Sequence, residues 1–257
     1  MTMTMQTDDV VRSLASHVRP LKAARALWSF LMDREDTTSV LRVFRAADGA
    51  MPERNFERFC ATELGRRVLA ERRSLGAVLC DRERLRGLPE GTLGRAYLEF
   101  VERERISVQG LSAASDAAHA GRRRLEPARV QYRDRFRDMH DLWHVAIGYG
   151  REALGEICLL AFTYAQTRQR GFGLVALIWS IKEQVLRRTP ALACALEGAR
   201  LGRRARWLLE QDWERLLEMP LPAVLRTIGV AAPQTYLRYL ERTGRLDAQA
   251  RPLLDGS

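Results

Sequence analysis

Lysine is almost missing from this chain: among 42 cationic residues only Lys22 and Lys182 are lysines, and the rest are arginine. Cysteine is scarce too. Cys60, Cys80, Cys158 and Cys194 are widely spaced and form no C-x-x-C pair. That pattern removes a cysteine-ligated zinc module and leaves four reduced thiols packed as small apolar side chains. No stretch reaches the roughly 20 apolar residues of a membrane-spanning helix. The two longest runs, 157–165 and 172–181, are parted by Arg168 and Arg170. Alternating apolar and polar residues are absent, so no strands are expected, and neither repeats nor low-complexity tracts occur. Aromatic residues, 7% of the chain, are sparse among the arginines. With no nucleic-acid-binding motif in view, a nucleic-acid partner is not expected.

What is present suits a folded protein. The 257 residues are 46% hydrophobic and 29% charged, enough for one large domain with a proper core. The net charge of +10 admits two readings: solvated helix faces, since the arginines are interleaved with acids, or an anionic partner. Residues 10–32 hold Arg12, Arg19, Lys22 and Arg25 without an acid, which resembles a transit peptide; an amphipathic first helix bent at Pro20 is the preferred reading.

Apolar residues recur at helical spacing. Phe56, Cys60, Leu64 and Val68 form one stripe; Leu93, Tyr97, Phe100 and Val101 form another, opened by the turn 88–91. Leu209, Trp213, Leu216 and Leu217 form a third, stopped by Pro220 and Pro222, and a short helix then runs to Gly229. Segment 107–124 reads as a loop. The expected fold is all-α, a single multi-helix domain with a metal site formed between two helices. Within it residues 1–85 form an N-terminal helical region, 86–230 the core and 231–257 a C-terminal tail.

The metal site is read from segment 135–156, RFRDMHDLWHVAIGYGREALGE. His140 and His144 stand at i and i+4, so one helix face presents both imidazoles to one cation. Asp141 borders the same face as an oxygen donor. Glu156 lies 12 residues past His144, about 18 Å along an unbroken helix and out of reach. Gly148-Tyr149-Gly150 supplies the break that folds a second helix back, bringing either Glu156 or Glu152 to the histidines. Two histidines with carboxylate fit a catalytic ion with open positions, zinc or non-haem iron.

The pattern His-Asp-x-x-His, eleven residues, Glu, read as His140, Asp141, His144 and Glu156, resembles the signature of the coenzyme Q biosynthesis protein 4 family. Segment 88–100 (LPEGTLGRAYLEF), segment 135–141, residues 154–157 and 165–167, and Trp207, Asp212–Glu214 and Pro220-Leu221 are similar to that family as well. The resemblance implies an all-helical fold and peripheral membrane association, on the cytoplasmic face of a bacterial inner membrane or the matrix side of a mitochondrial one. It implies oxidative decarboxylation at ring carbon C1 of a polyprenylated 4-hydroxybenzoate-derived precursor, replacing carboxylate by hydroxyl. It also implies one divalent metal ion on His140, Asp141, His144 and Glu156, with O2 as a co-substrate if oxygen enters in the same step. The partners implied are the polyprenylated aromatic lipid, an anionic membrane surface, other ubiquinone-biosynthesis proteins and a second copy of the chain. A non-enzymatic scaffold presenting prenylated intermediates is the alternative.

Further expectations concern the substrate. Arg133 and Arg137 precede His140 on its helix face and are candidates to pair with the carboxylate; pairing with Asp134 or Asp138 is the competing reading. Ile157, Leu159, Leu160, Phe162 and run 172–181 are candidates to line a tunnel for the tail, with Gly171 and Gly173 at a turn between its helices. Arg122–Arg124, Arg168, Arg170 and Arg200–Arg206 are candidates for docking on anionic headgroups. A phosphohydrolase using His119, His140, Asp141 and Asp212 is the remaining enzymatic alternative.

Overall fold

Thr62, Ser74, Asp81 and Thr92 mark where the first helices stop and start. The computed structural model describes residues 47–104 and 126–246, and all regular structure among them is helical. Helix α1 (Met51–Ala61) ends and α2 (Glu63–Ala70) begins at Thr62, whose hydroxyl donates to the Phe59 carbonyl and accepts from Gly65 N–H. Ser74 and Asp81 cap α3 (Leu75–Cys80) and α4 (Arg82–Gly87) by accepting from Ala77 and Arg84 N–H. Thr92 opens α5 (Leu93–Arg103), after the turn that Gly91 makes at φ 77°. Each such cap contributes about 1 kcal/mol.

The remaining helices are α6 (Pro127–Ile147), α7 (Ala153–Thr167), α8 (Arg170–Arg187), α9 (Ala191–Arg204), α10 (Trp213–Leu216), α11 (Leu221–Ile228) and α12 (Gln234–Arg242). Helix α7 is the hub. It packs against α8 and α9, and Ile157, Cys158, Leu159 and Phe162 keep no accessible surface. Its closest neighbour is α9: a Cβ on Gly198 would fall 2.6 Å from the Cys158 carbonyl oxygen, and one on Gly202 2.7 Å from that of Phe162. Only glycine permits that approach. Gln166 fastens the same end, donating to the Gly202 carbonyl and accepting from Leu208 N–H.

The first two stripes pack as their spacing demands: Phe56, Leu64 and Val68 are buried, and so are Leu93, Tyr97, Phe100 and Val101. The third stripe, Leu209, Trp213, Leu216 and Leu217, is buried as well, but it does not lie on one helix. A 3-10 turn (Leu208–Glu210) precedes the single turn of α10, because the Asp212 carboxylate caps Arg215 N–H and Trp213 Nε1–H reaches back to the Leu208 carbonyl. The cysteines divide: Cys158 and Cys194 are buried, Cys60 is half-buried, and Cys80, at the last position of α3, is exposed. Segment 47–87 is tied to the rest by Asn55 Nδ2–H to the Thr167 carbonyl and by Gln131 Nε2–H to those of Val68 and Arg73.

Two tail-tunnel expectations are corrected. A side chain lining an open channel retains accessible surface, whereas Ile157, Leu159 and Phe162 have none and belong to the core. Gly171 and Gly173 lie inside α8, and the turn falls at Arg168, at φ 58°. Residues 10–32, His119 and Arg122–Arg124 lie outside the described residues. No helix among those described is long and apolar enough to cross a membrane.

Candidate metal centre

The centre is built where α6 turns back into α7. His140 and His144 occupy the last two turns of α6, which Gly148 ends in the left-handed conformation (φ 86°), its N–H bonded to the His144 carbonyl. That conformation is cheap only for glycine. Tyr149 is buried against Tyr236 with ring centroids 5.2 Å apart, and Gly150 N–H donates to the Tyr236 hydroxyl. The hydroxyl in turn donates to Glu152 Oε1, and the same oxygen caps α7 by accepting from Gly155 N–H. Glu152 is thereby committed, and the carboxylate that reaches the histidines is Glu156.

His140, His144 and Glu156 each offer a donor atom within 4.8 Å of the other two. His144 Nε2 stands 3.4 Å from Glu156 Oε1, and His140 Nε2 4.0 Å from Glu156 Oε2. The two imidazoles lie 4.9 Å apart, nearly edge to face. Asp141 is placed outside this group: its Oδ1 faces the other nitrogen of His140, Nδ1, at 3.7 Å. A carboxylate on the far nitrogen of a ligating histidine holds the ring in place.

The decisive detail is the protonation of His144. Its Nδ1 is 3.1 Å from the Tyr149 carbonyl, which can only accept, so Nδ1 carries the hydrogen. Its Nε2 is fully buried, has no hydrogen-bond partner and stands 3.4 Å from Glu156 Oε1. Either a metal ion between nitrogen and carboxylate or a second proton on the ring would satisfy that arrangement. The donor set of two imidazole nitrogens and one carboxylate fits zinc or iron with positions left open.

Without an ion the charged groups act on one another. Burial alone would raise the Glu156 carboxyl, but the positive charge of His144 and then of His140, in their protonated forms, outweighs it and holds the group below its ordinary value. Asp141 is likewise lowered, its burial overcome by His140. For His140 burial works downward, and the Asp141 and Glu156 carboxylates together overcome it and raise the imidazole. Arg151 opposes that rise and helps keep both acids ionised.

Beside the centre lies an open cleft of about 380 Å³, walled by Phe100, Leu221 and Leu240 and reached by Arg103, Arg151 and Arg245. Phe100 also stacks on the His144 ring at 6.0 Å. Sequence reasoning missed these arginines; only the position of Arg151, directly after the glycine break, hinted at one of them. Arg133 and Arg137 do not line this cleft. Arg133 pairs with Asp134 at 3.1 Å, and Arg137 with Asp138 at 3.0 Å and Asp134 at 3.4 Å. Asp212 caps α10 and pairs with Arg73 at 3.5 Å, so it stands apart from the histidines. Arg135, also unforeseen, is fully buried and grips Glu214 with both terminal nitrogens, at 2.6 and 2.8 Å.

Comparison with known proteins gives one answer. The mitochondrial ubiquinone biosynthesis protein COQ4 homologue of Bos taurus is 32% identical over 174 residues, covering 66% of this chain and 62% of its own length. That of Homo sapiens is 30% identical over 182 residues, with 68% and 64% covered. The chain thus spans under two-thirds of the length of these mammalian relatives. A COQ4 protein of Pyricularia oryzae is 26% identical over 248 residues, covering 92% of this chain and 78% of its own. A solved structure from Nostoc punctiforme PCC 73102, provisionally assigned to ubiquinone biosynthesis, shares the fold with TM-score 0.58 and 20% identity over 84% of this chain and 100% of its own. The family model described as coenzyme Q (ubiquinone) biosynthesis protein Coq4 matches residues 20–234, and this chain belongs to that family.

Proposed function

We propose that the chain acts in ubiquinone biosynthesis as a metal-dependent enzyme, removing the C1 carboxylate of a polyprenylated 4-hydroxybenzoate-derived ring and leaving a hydroxyl. The observation that carries this reading is His144 Nε2, buried without a hydrogen-bond partner opposite Glu156 Oε1. His140, His144 and Glu156 would hold the ion, and Asp141 would steady His140. A divalent ion bound there supplies a positive charge that binds a carboxylate or phenolate and draws charge from the ring, and iron adds redox capacity. In the reaction the C1–carboxylate bond breaks to release CO2 and a C1–oxygen bond forms. The ring loses two electrons to dioxygen, which leaves as hydrogen peroxide, while water supplies the hydroxyl oxygen: ArCO2H + H2O + O2 gives ArOH + CO2 + H2O2.

The chain's own groups have distinct tasks. His144 keeps its proton on Nδ1, against the Tyr149 carbonyl, so that Nε2 remains a donor to the ion. Phe100, Leu221 and Leu240 wall the cleft with apolar surface that sheds water from an aromatic ring. Arg151 reaches both the cleft and the charged cluster, and it is the arginine placed to orient the substrate carboxylate. The relatives are named mitochondrial, which supports the eukaryotic form of the location proposed, the matrix side of the inner membrane, over the bacterial form, the cytoplasmic face of the inner membrane.

The test is elemental analysis of anaerobically purified protein, followed by incubation with C1-carboxylated substrate and oxygen. One bound zinc or iron and stoichiometric CO2 release, both lost in His144→Ala, are expected. If His144→Ala lacks the metal yet fully complements a strain without the gene, the enzymatic reading fails and the scaffold role replaces it.

A further inference from the structure

The large hydrophobic side chains exposed among the described residues are Leu177, Ile181, Val185, Leu186 and Leu196, all on α8 and α9. Leu177, Ile181 and Val185 are 51, 48 and 71% exposed and fall at i, i+4 and i+8, one continuous stripe of α8. The same face carries Arg170, seven residues and so nearly two turns before Leu177, and exposed Arg188 follows the other end of the helix in the left-handed conformation (φ 53°). On α9, Leu196, Arg200 and Arg203 repeat the arrangement at i, i+4 and i+7, with Arg204 beside them; all four are exposed. The opposite side of α8 is committed inward: Val175, Ala176, Ser180 and Glu183 are buried.

Charge separates the possible occupants. Neither helix has an exposed carboxylate. Glu183 is buried and pairs with Arg187, and the half-buried Glu197 accepts from Thr235 N–H. The exposed surface of the pair is therefore apolar and cationic. A second copy docking the same patch about a two-fold axis would bring arginine against arginine with no acid between them. An anionic bilayer satisfies both parts of the surface, taking leucine, isoleucine and valine into the acyl boundary while guanidinium groups stay at the headgroups.

We infer that the α8–α9 face is the surface by which this protein docks on an anionic lipid bilayer. Docking this way lays α8 flat on the interface and puts α7, which carries Glu156 and packs on both helices, one layer above the lipid. The inference is independent of the enzymatic reading, because it uses no residue of the metal centre or the cleft.

The experiment is flotation of the full chain, in chelator, with vesicles of phosphatidylcholine alone or with about a third phosphatidylglycerol, in low and high salt. Binding only to the anionic vesicles, weakened at least tenfold by high salt, is expected. Ile181→Glu/Val185→Glu and, separately, Arg188→Gln/Arg200→Gln/Arg203→Gln should each lower vesicle affinity at least tenfold. Both sets are exposed, so an unchanged circular-dichroism melt checks that the fold is kept. Undiminished vesicle binding by both variants overturns the inference. So does a dimer in light scattering that the Ile181/Val185 variant splits without loss of vesicle binding, since the face then joins two copies.

Discussion

His144 and Glu156 confront each other across 3.4 Å, on two helices separated by the break that Gly148 opens. The His144 Nδ1 hydrogen is held by the Tyr149 carbonyl, which leaves Nε2 available to the ion of the proposed metal site. Chelation of the metal should therefore lower the thermal midpoint. An ion present at 100 times its dissociation constant adds about 2.7 kcal/mol to stability. His144→Ala should show no chelator-dependent shift in differential scanning fluorimetry; an equal shift in the variant would place the ion elsewhere.

Glu152 and Glu156 are one helical turn apart and are expected to behave oppositely. Glu156→Gln should remove the bound metal while leaving the fold intact. Glu152→Gln should keep the metal and cost about 1 kcal/mol through a weakened helix cap. Metal content and urea melts on the two variants separate the roles, and exchanged phenotypes would reassign the ligand.

Arg151 and Arg137 make a second opposed pair. Arg151→Gln should raise KM for a carboxylated substrate by about tenfold or more, the scale of one lost charge-assisted contact. Arg137→Gln should leave KM within about twofold, since Arg137 is occupied by Asp134 and Asp138. Steady-state kinetics on both decide it.

Asp48 gives a pH dependence of stability. It is nearly buried, accepting from Gly171 N–H at 2.6 Å, and its burial pushes the carboxyl up from 3.8 to about 6. A folded-state value raised above the unfolded one favours the fold fully below about pH 4, and that contribution is lost as pH rises through about 6. Asp48→Asn keeps an acceptor and never ionises, so it should stabilise the protein at pH 7 by up to about 3 kcal/mol. Denaturant midpoints at pH 4, 5, 6 and 7 should slope downward less steeply in the variant; parallel curves would refute the assignment.

Arg135 and Glu214 supply the opposite sign. Burial tends to raise the Glu214 carboxyl, but the Arg135 guanidinium outweighs it and holds the group below its ordinary value. This contribution is present at neutral pH and lost as pH falls through the lowered value. Arg135→Met strands a carboxylate and should cost about 3–5 kcal/mol, whereas Arg135→Met/Glu214→Leu should recover much of it. Equal losses in the single and double variants would mean that the pair is not coupled.

Local rules reached far in this chain. The helical class, the turn before Leu93, the short helix ending at Gly229 and the break at Gly148 all follow from apolar spacing and backbone chemistry, which neighbouring residues determine among themselves. So does the i and i+4 pairing of His140 with His144. The choice between Glu152 and Glu156 could not be made that way, because it depends on Tyr236, some 84 residues beyond Glu152. The helix of the third stripe is divided by a local cap, the Asp212 carboxylate on Arg215 N–H, while Gln166 on α7 fixes the Leu208 N–H from a distance.

By itself, then, the sequence determined that the chain is helical, where α6 must end, and that two imidazoles share a face near a carboxylate. Tertiary structure alone decided which carboxylate meets them, that Arg137 is spent on its own helix while Arg151 reaches the cleft, and that Leu177, Ile181 and Val185 face outward while Ile157, Leu159 and Phe162 are sealed inside. The physical reason is common to all three. Spacing tells which side chains lie on one face of a helix, but what that face meets depends on how distant helices pack.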